Sequence, residues 1–271
     1  MIENKPPVVI ITGASRGIGR AVAEKFAKQG YNLTLVADQE EELSETVNLI
    51  GGKNQCLSLC GNLENFGFLQ DIVDRTFQEW GRVDILVNNA AWRTIETLRS
   101  ISLEDWEKTI RICLTAPAFL SKMTAEKMES NQKGGVIINL SSIMAERAGG
   151  NSPAYVACKG ALLSLTYEMA ALYGPSHIRV VAICPGNVET KMSQDFTNEQ
   201  GENISHMLKR EMEEMTPLQR SAVSQEVANA VYWVGTEEAS FVTGTSLVVD
   251  GGFSHNFNSY PSKKLQFPKS F

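Results

Sequence analysis

The chain has 271 residues, 43% of them hydrophobic and 21% charged, which fits one globular domain with a large core. Its formal net charge of −6 argues against nonspecific binding of nucleic acid. The start, MIENKPPVVI, has no long apolar stretch, and no run approaches the roughly 18 apolar residues of a membrane span, so neither a secretory signal nor a membrane anchor is expected.

Val8 to Ile11 is a β-branched run and predicts a first strand. It enters TGASRGIG, Thr12 to Gly19, and then a segment with apolar residues at Val22, Phe26 and Ala27, the spacing of a helix that Gly30 ends. Leu33 to Ala37 predicts a second strand. Strand, glycine turn, helix, strand is the opening of a nucleotide-binding βαβ unit. Gly13 allows a tight bend, and Gly17 and Gly19 let the backbone approach a diphosphate that the helix N-terminus attracts. Gly13, Ser15, Arg16, Gly17, Ile18 and Gly19 are therefore expected against the diphosphate. Asp38 closes the second strand, where a carboxylate binds ribose hydroxyls and repels a 2′-phosphate. That favours NAD. Arg16 pulls the other way, because it suits a 2′-phosphate, so NADP stays possible.

Gln55 to Cys60 predicts a third strand, followed by Asn62 and Leu63, and Glu64 to Trp80 a helix stopped by Gly81. Val83 to Val87 is the fourth strand and runs into NNAA, Asn88 to Ala91. Glu104 to Met128 reads as a long helix capped by Ser102, with Pro117 expected to kink or split it. Val136 to Leu140 is the fifth strand, just before Ser142. Pro153 to Tyr173 is a long apolar helix on which Tyr155 and Lys159, four apart, share a face. Ile178 to Ile183 is the sixth strand, leading into PGNVET, Pro185 to Thr190. A helix at Gln225 to Val234 and a strand at Ser246 to Val249, ending in DGG, complete the alternation. The pattern predicts a Rossmann-type, doubly wound parallel sheet of about seven strands with helices on both faces. Ligands of such sheets bind at the carboxyl ends of the strands. The hydroxyl of Ser142, the phenol of Tyr155 and the ammonium of Lys159 would converge there.

No linker or internal repeat divides the chain, so residues 1–252 read as one domain. Two segments stand apart. The polar, Met-containing stretch Lys191 to Met215 follows the binding edge and reads equally as a substrate lid, within 187–216, or as a surface helix pair. Phe253 to Phe271 is an aromatic-rich tail that covers the site or a subunit interface, or is partly disordered. Cys56, Cys60, Cys113, Cys158 and Cys184 follow no CxxC spacing and read as reduced, mostly buried thiols of a cytoplasmic protein. His177, His206 and His255 lie far apart, so no metal site is expected.

Together these motifs resemble the short-chain dehydrogenase/reductase family in its compact form, over about Val8 to Gly252. TGASRGIG is similar to that family's TGxxxGxG turn, NNAA to its NNAG, Ser142 with YVACK to its Ser and YxxxK site, PGNVET to its nicotinamide segment, and TGTSLVVDGG to its C-terminal strand. The resemblance implies that Tyr155 is the acid/base, that Lys159 binds the nicotinamide ribose and favours the phenolate, and that Ser142 holds the substrate oxygen. It places Gly186, Val188 and Thr190 at the carboxamide, Asn62 and Leu63 at the adenine, and Asn89 and Ala90 at the adjoining ribose. It implies a homotetramer, or a dimer, acting on a small molecule.

The chemistry is sound on its own terms. A free phenol ionises at roughly pH 10. An ammonium about 4 Å away favours the phenolate by roughly 4 kcal/mol at an effective dielectric of 20, so one lysine a helical turn away has the right magnitude. The expected function is NAD(P)-dependent interconversion of a secondary alcohol and a ketone. The substrate is left open among a 3-oxoacyl thioester, a sugar or polyol and a steroid-like alcohol. Two positions depart from the family pattern. Cys113 stands where the resemblance implies an Asn that relays protons, and Ala91, followed by Trp92 and Arg93, stands where glycine is usual. Cys113 alone favours the alternative of a cofactor-binding regulatory or scaffold protein with little turnover.

Overall fold

Seven strands pair side by side, all parallel, in one sheet. This is a computed structural model, and it describes residues 5–51, 55–194, 196–198 and 200–271. Along the chain run β1 (Val8–Thr12), α1 (Gly17–Lys28), β2 (Asn32–Ala37), α2 (Glu40–Leu49), β3 (Cys56–Cys60), α3 (Phe66–Trp80) and β4 (Ile85–Asn88). Then come α4 (Leu103–Ile110), α5 (Ala116–Ser130), β5 (Gly135–Leu140), α6 (Pro153–Tyr173) and β6 (Ile178–Pro185). The rest holds β7 (Val188–Glu189), α7 (Ser205–Met215), β8 (Ala222–Val223), α8 (Ser224–Gly235), β9 (Thr245–Val249) and α9 (Tyr260–Gln266). The described residues contain no helix long and apolar enough to cross a membrane and no group of three or more side chains placed to hold a metal.

Successive strand residues point to opposite faces, so the apolar runs of β1, β4 and β5 feed two cores. Val9, Ile11, Leu35, Val87 and Ile138 pack with Phe26 of α1 and Val231 of α8 on one face. Ile10, Leu86 and Ile137 pack with Ile72 of α3, Leu120 of α5 and Met169 of α6 on the other. Across the sheet the strands run β3-β2-β1-β4-β5-β6-β9, and the order reverses between β1 and β4, where a doubly wound sheet opens a crevice at its carboxyl edge.

Three segments differ from the sequence reading. The helix expected over Glu104 to Met128 is two helices. They are joined by a π-helical turn at Arg111–Thr115, and Pro117 sits in the first turn of α5, where a missing N–H is harmless. Ser102 does cap α4, accepting from the Asp105 N–H at 3.0 Å. The stretch between β2 and β3, to which the sequence reading assigns no element, is α2. Its first turn carries Glu40, Glu41 and Glu42, favourable at a helix N-terminus. The tail holds α9, which packs against α7. Asn256 donates to the Met215 carbonyl at 2.6 Å and so ties the tail to the end of α7.

The DGG turn after β9 has a local task. Asp250 accepts from the Gly252 N–H at 2.8 Å and the Ser254 N–H at 2.6 Å. Burial works to raise its carboxyl, but the bonds from Ser254 and Gly252 prevail and hold it below the usual carboxylate range. A side chain at Gly186 would meet the Asp250 Cβ at 2.7 Å, so the turns after β6 and β9 close on each other only with glycine there.

Candidate active site

The carboxyl edge of the sheet borders a cleft of about 530 Å³. Its floor is set by the joint between β1 and β4. The Asn89 side-chain amide donates to the Thr12 carbonyl at 2.9 Å and the Gly13 carbonyl at 3.1 Å, and the Thr12 hydroxyl accepts from the N–H groups of Asn89 and Ala90, both at 3.0 Å. Gly13 has φ +64°, and a Cβ there would lie 2.9 Å from both Asn89 Nδ2 and the Ala90 Cα. The first turn therefore fits against NNAA only as glycine. Beneath it, Asn88 donates to Asn139 at 2.9 Å and Asn139 to Thr166 at 2.9 Å, a buried polar chain from β4 through β5 to α6.

Tyr155 and Lys159 both reach the cleft from the first turns of α6. Lys159 is only 2% exposed. Its ammonium donates to the Leu140 carbonyl at 2.5 Å and lies 5.3 Å from the centre of the Tyr155 ring. Ser141 Oγ returns a bond to the Lys159 carbonyl at 2.9 Å, so the end of β5 and α6 are stitched in both directions. Ser142 also faces the cleft, and its hydroxyl accepts from the Met144 N–H at 3.1 Å as the cap of a short 3₁₀ turn.

At the other end the cleft touches Gly13, Ser15, Arg16, Gly17 and Ile18 of the first turn, then Asp38, Asn62 and Leu63. Asn89, Ala90, Gly186, Val188 and Thr190 line it between the two ends. Of the residues expected from sequence, Gly19 alone is off the wall. It lies beneath, where a Cβ would sit 2.0 Å from the Gly13 carbonyl oxygen, so its role is to let α1 pack on the turn. Asn62 is engaged locally, accepting from the Glu64 N–H at 2.9 Å. Arg16 lies 3.6 Å from Glu42 of α2, which Lys191 also meets at 3.6 Å.

Several wall residues are not among the sequence-derived site: Lys108, Met192, Phe196, Met212 and, above all, Trp92 and Arg93. The signal for the last two was the departure from NNAG. Cys113, fully buried in the π-helical turn, explains its own presence. Its thiol accepts from the Trp92 N–H at 3.4 Å and donates to the Trp92 carbonyl at 3.3 Å. Burial, foremost, pushes the nearby Cys158 thiol up to about 12, so it stays protonated and unreactive.

A family model described as Enoyl-(Acyl carrier protein) reductase matches residues 13–254. The chain belongs to the short-chain dehydrogenase/reductase family. It is 31% identical to glucose 1-dehydrogenase 2 of Bacillus subtilis strain 168, over 94% of this chain and 95% of that protein. It is 32% identical to L-rhamnose 1-dehydrogenase (NAD(P)(+)) of Azotobacter vinelandii, over 92% of this chain and 96% of that protein. Among solved structures it is similar to acetoin dehydrogenase from Salmonella typhimurium, with TM-score 0.81 and 29% identity over 94% of this chain and 99% of that one. As a member of this short-chain dehydrogenase/reductase family it is an oxidoreductase.

Oxidoreductases of the short-chain family use NAD(P), and the residues present fit such a group. The N-terminus of α1 has no side-chain cap and no acid in its first turn, which leaves its N–H groups for a diphosphate. Lys159 is a nearly buried ammonium with one hydrogen bond among the described residues, on the wall where ribose hydroxyls would supply acceptors.

Proposed function

We propose that this protein is an NAD-preferring dehydrogenase that interconverts a secondary alcohol and a ketone on a small molecule. The observation that carries the reading is one cleft bounded at one end by the open N-terminus of α1 and at the other by Tyr155 and Lys159 on one face of α6. When bound, the nicotinamide supplies the two-electron chemistry, taking a hydride from the carbinol carbon or returning it to the carbonyl. Tyr155 takes the hydroxyl proton in the oxidative direction and returns it in the reductive one. Lys159, its position held by the Leu140 carbonyl, sets a positive charge beside the Tyr155 ring. Ser142 donates to the substrate oxygen and so aims it at Tyr155. Gly186, Val188 and Thr190 orient the carboxamide end, and Asn62, Leu63, Asn89 and Ala90 border the adenosine. Cys113 is no proton relay in this reading. It is engaged by the Trp92 backbone.

Two acids support NAD over NADP. Asp38 lies exposed at the cleft lip directly after β2, and Glu42 lies beside Arg16, the one basic residue of the turn. A 2′-phosphate beside Asp38 would meet its carboxylate, while Glu42 draws on the charge of Arg16 that could otherwise receive it. Residues 1–252 are read as one nucleotide-binding domain and 253–271 as a tail, with Met1 to Asn4 outside the described residues. Segment 187–216 is the proposed lid, since Met192, Phe196 and Met212 line the cleft and Lys191 reaches Glu42; Asp195 and Glu199 lie outside the described residues. A homotetramer, or a dimer, is supported by the exposed apolar residues Phe119 of α5 and Tyr167 and Leu172 of α6. Five free thiols suit a cytoplasmic setting.

Turnover of secondary alcohols and ketones, followed by NAD(P)H absorbance with each cofactor, tests the reading. Tyr155→Phe should lower kcat by about 10²- to 10⁴-fold, the usual contribution of a general acid/base, while NAD binding by calorimetry persists. Near-wild-type turnover by that variant would sink the mechanism. Wild type should prefer NAD, and Asp38→Ser should move the kcat/KM ratio toward NADP by about tenfold, as expected on removing one nearby like charge. A wild-type preference for NADPH overturns the assignment. Cofactor with substrate should slow proteolysis within 187–216, and an unchanged cleavage rate speaks against a lid. Sedimentation at the mass of a monomer would refute the oligomer.

A further inference from the structure

The acids of the cleft are confined to one end, while cations line both: Arg16 and Lys191 near Glu42, and three more around Tyr155. Among its described lining residues the acids are Asp38 and Glu64, both at the adenosine end. Around Tyr155 stand Arg93, Lys108 and Lys159, with no carboxylate among the described lining residues there. In a chain of net charge −6 this is a local inversion of sign. Lys159 is engaged by Leu140, and the Lys108 ammonium rests over the Trp92 ring at 4.4 Å. Arg93 is different. Its guanidinium carbon lies 5.9 Å from the centre of the Tyr155 ring and 5.2 Å from that of Phe196. One of its five N–H donors reaches the Met192 carbonyl at 3.2 Å, and no ion pair among the described residues includes it. Burial pulls its pKa below the ordinary guanidinium value, and the Tyr155 charge opposes that. Desolvation of this kind favours an anionic partner.

The loop bearing Arg93 is pinned on both sides. Trp92 is held through its N–H and carbonyl by the Cys113 thiol. The Thr94 carbonyl accepts from Ser152 Oγ at 3.2 Å, and the Glu96 N–H donates to the Asn151 carbonyl at 3.0 Å. Ser152 precedes the helix that carries Tyr155, so Arg93 and Tyr155 are set from one frame. Cys113, which departs from the family pattern, and Trp92 and Arg93, which follow the other departure at Ala91, form one mechanical unit with the guanidinium at its tip.

We propose that Arg93 binds a carboxylate of the substrate, so that the alcohol oxidised here is a short hydroxy acid and the product its oxo acid. This rests on the reading of Tyr155 as the acid/base. The chemistry favours a carboxylate because a guanidinium fork pairs with it in two parallel bonds. The rings of Tyr155 and Phe196 lie close to the guanidinium, which leaves its donor edge for a flat anion. The short reach between Arg93 and Tyr155 limits the substrate to a carboxylate a few bonds from the carbinol. The carboxylate is a handle and is not consumed: the carbinol carbon loses a hydride to the oxidised nicotinamide, its hydroxyl loses a proton to Tyr155, and the ketone forms. The relatives named for glucose, L-rhamnose and acetoin are named for uncharged molecules. A hydroxy acid would set this chain apart from them.

The test compares 2-hydroxybutanoate and 3-hydroxybutanoate with their methyl esters and with 2-butanol, using NAD, in wild type, Arg93→Lys and Arg93→Met. Wild type should favour the acid over its ester. The acid-to-ester ratio of kcat/KM should fall by roughly 10- to 100-fold in Arg93→Met, the usual effect of losing a charge-assisted pair, mainly through KM, with partial recovery in Arg93→Lys. Malonate should inhibit wild type competitively against 2-hydroxybutanoate, and malonamide should not. This second measurement needs no variant to fold. Preference for esters or neutral alcohols, an unchanged ratio in Arg93→Met, equal inhibition by malonamide, or preference for an O-phosphorylated alcohol would each overturn the carboxylate assignment while leaving the dehydrogenase reading in place. Turnover of the acids by Tyr155→Phe at the wild-type rate would instead defeat the underlying mechanism.

Discussion

A charged ammonium at 2% exposure has to be hydrogen-bonded, and the Leu140 carbonyl at the end of β5 is the one acceptor Lys159 meets among the described residues. That bond sets much else. It fixes the first turns of α6 against the strand end, and Ser141 closes the same joint from the other side. Tyr155, one turn before Lys159, is thereby placed over the carboxyl edge of the sheet. The buried chain Asn88–Asn139–Thr166 keeps β4, β5 and α6 in register below it. Loss of any partner would leave a buried polar group unpaired, which is costlier than the bond itself is stabilising.

The opposite wall depends on a second joint, between Asn89 and the Thr12–Gly13 turn. Here the side chain expected to meet a ribose has both amide hydrogens engaged by backbone, and so Asn89 shapes the cleft by positioning the turn. The same division between contact and support explains Gly19. It belongs to the motif because α1 must approach Gly13, although it does not face the cleft itself.

Legibility followed burial. The strands feeding both cores were evident as apolar runs, and α6 as a long apolar helix between Pro153 and Tyr173. The helix α2 was not, because its inner face is only Leu43, Thr46 and Val47. Thr46 counts as core because Arg20 donates to its hydroxyl at 3.0 Å and its hydroxyl donates to the Ser15 carbonyl at 3.1 Å, partners more than 25 residues away. Proline at 117 predicts a break there, yet the break lies before it, at a π-helical turn in which Cys113 engages Trp92. A propensity reading has no means to foresee a bond made 21 residues away.

The amino-acid sequence by itself determined the sheet, through apolar runs alternating with 3.6-residue periodicity, and the glycine turn, and it set Tyr155 and Lys159 on one helical face, while Ser142 entered by its place after β5 and by the family resemblance. Only the tertiary structure decided which side chains share the cleft with them. In the sequence Arg93 is only a bulky residue that follows the departure at Ala91. It became a cation beside Tyr155 once Cys113, Ser152 and Asn151, from three separate segments, had pinned its loop. Glu42 likewise became the partner of Arg16 only when α2 formed. Contacts between distant segments are set by packing of whole elements, and neither spacing nor composition encodes them one residue at a time.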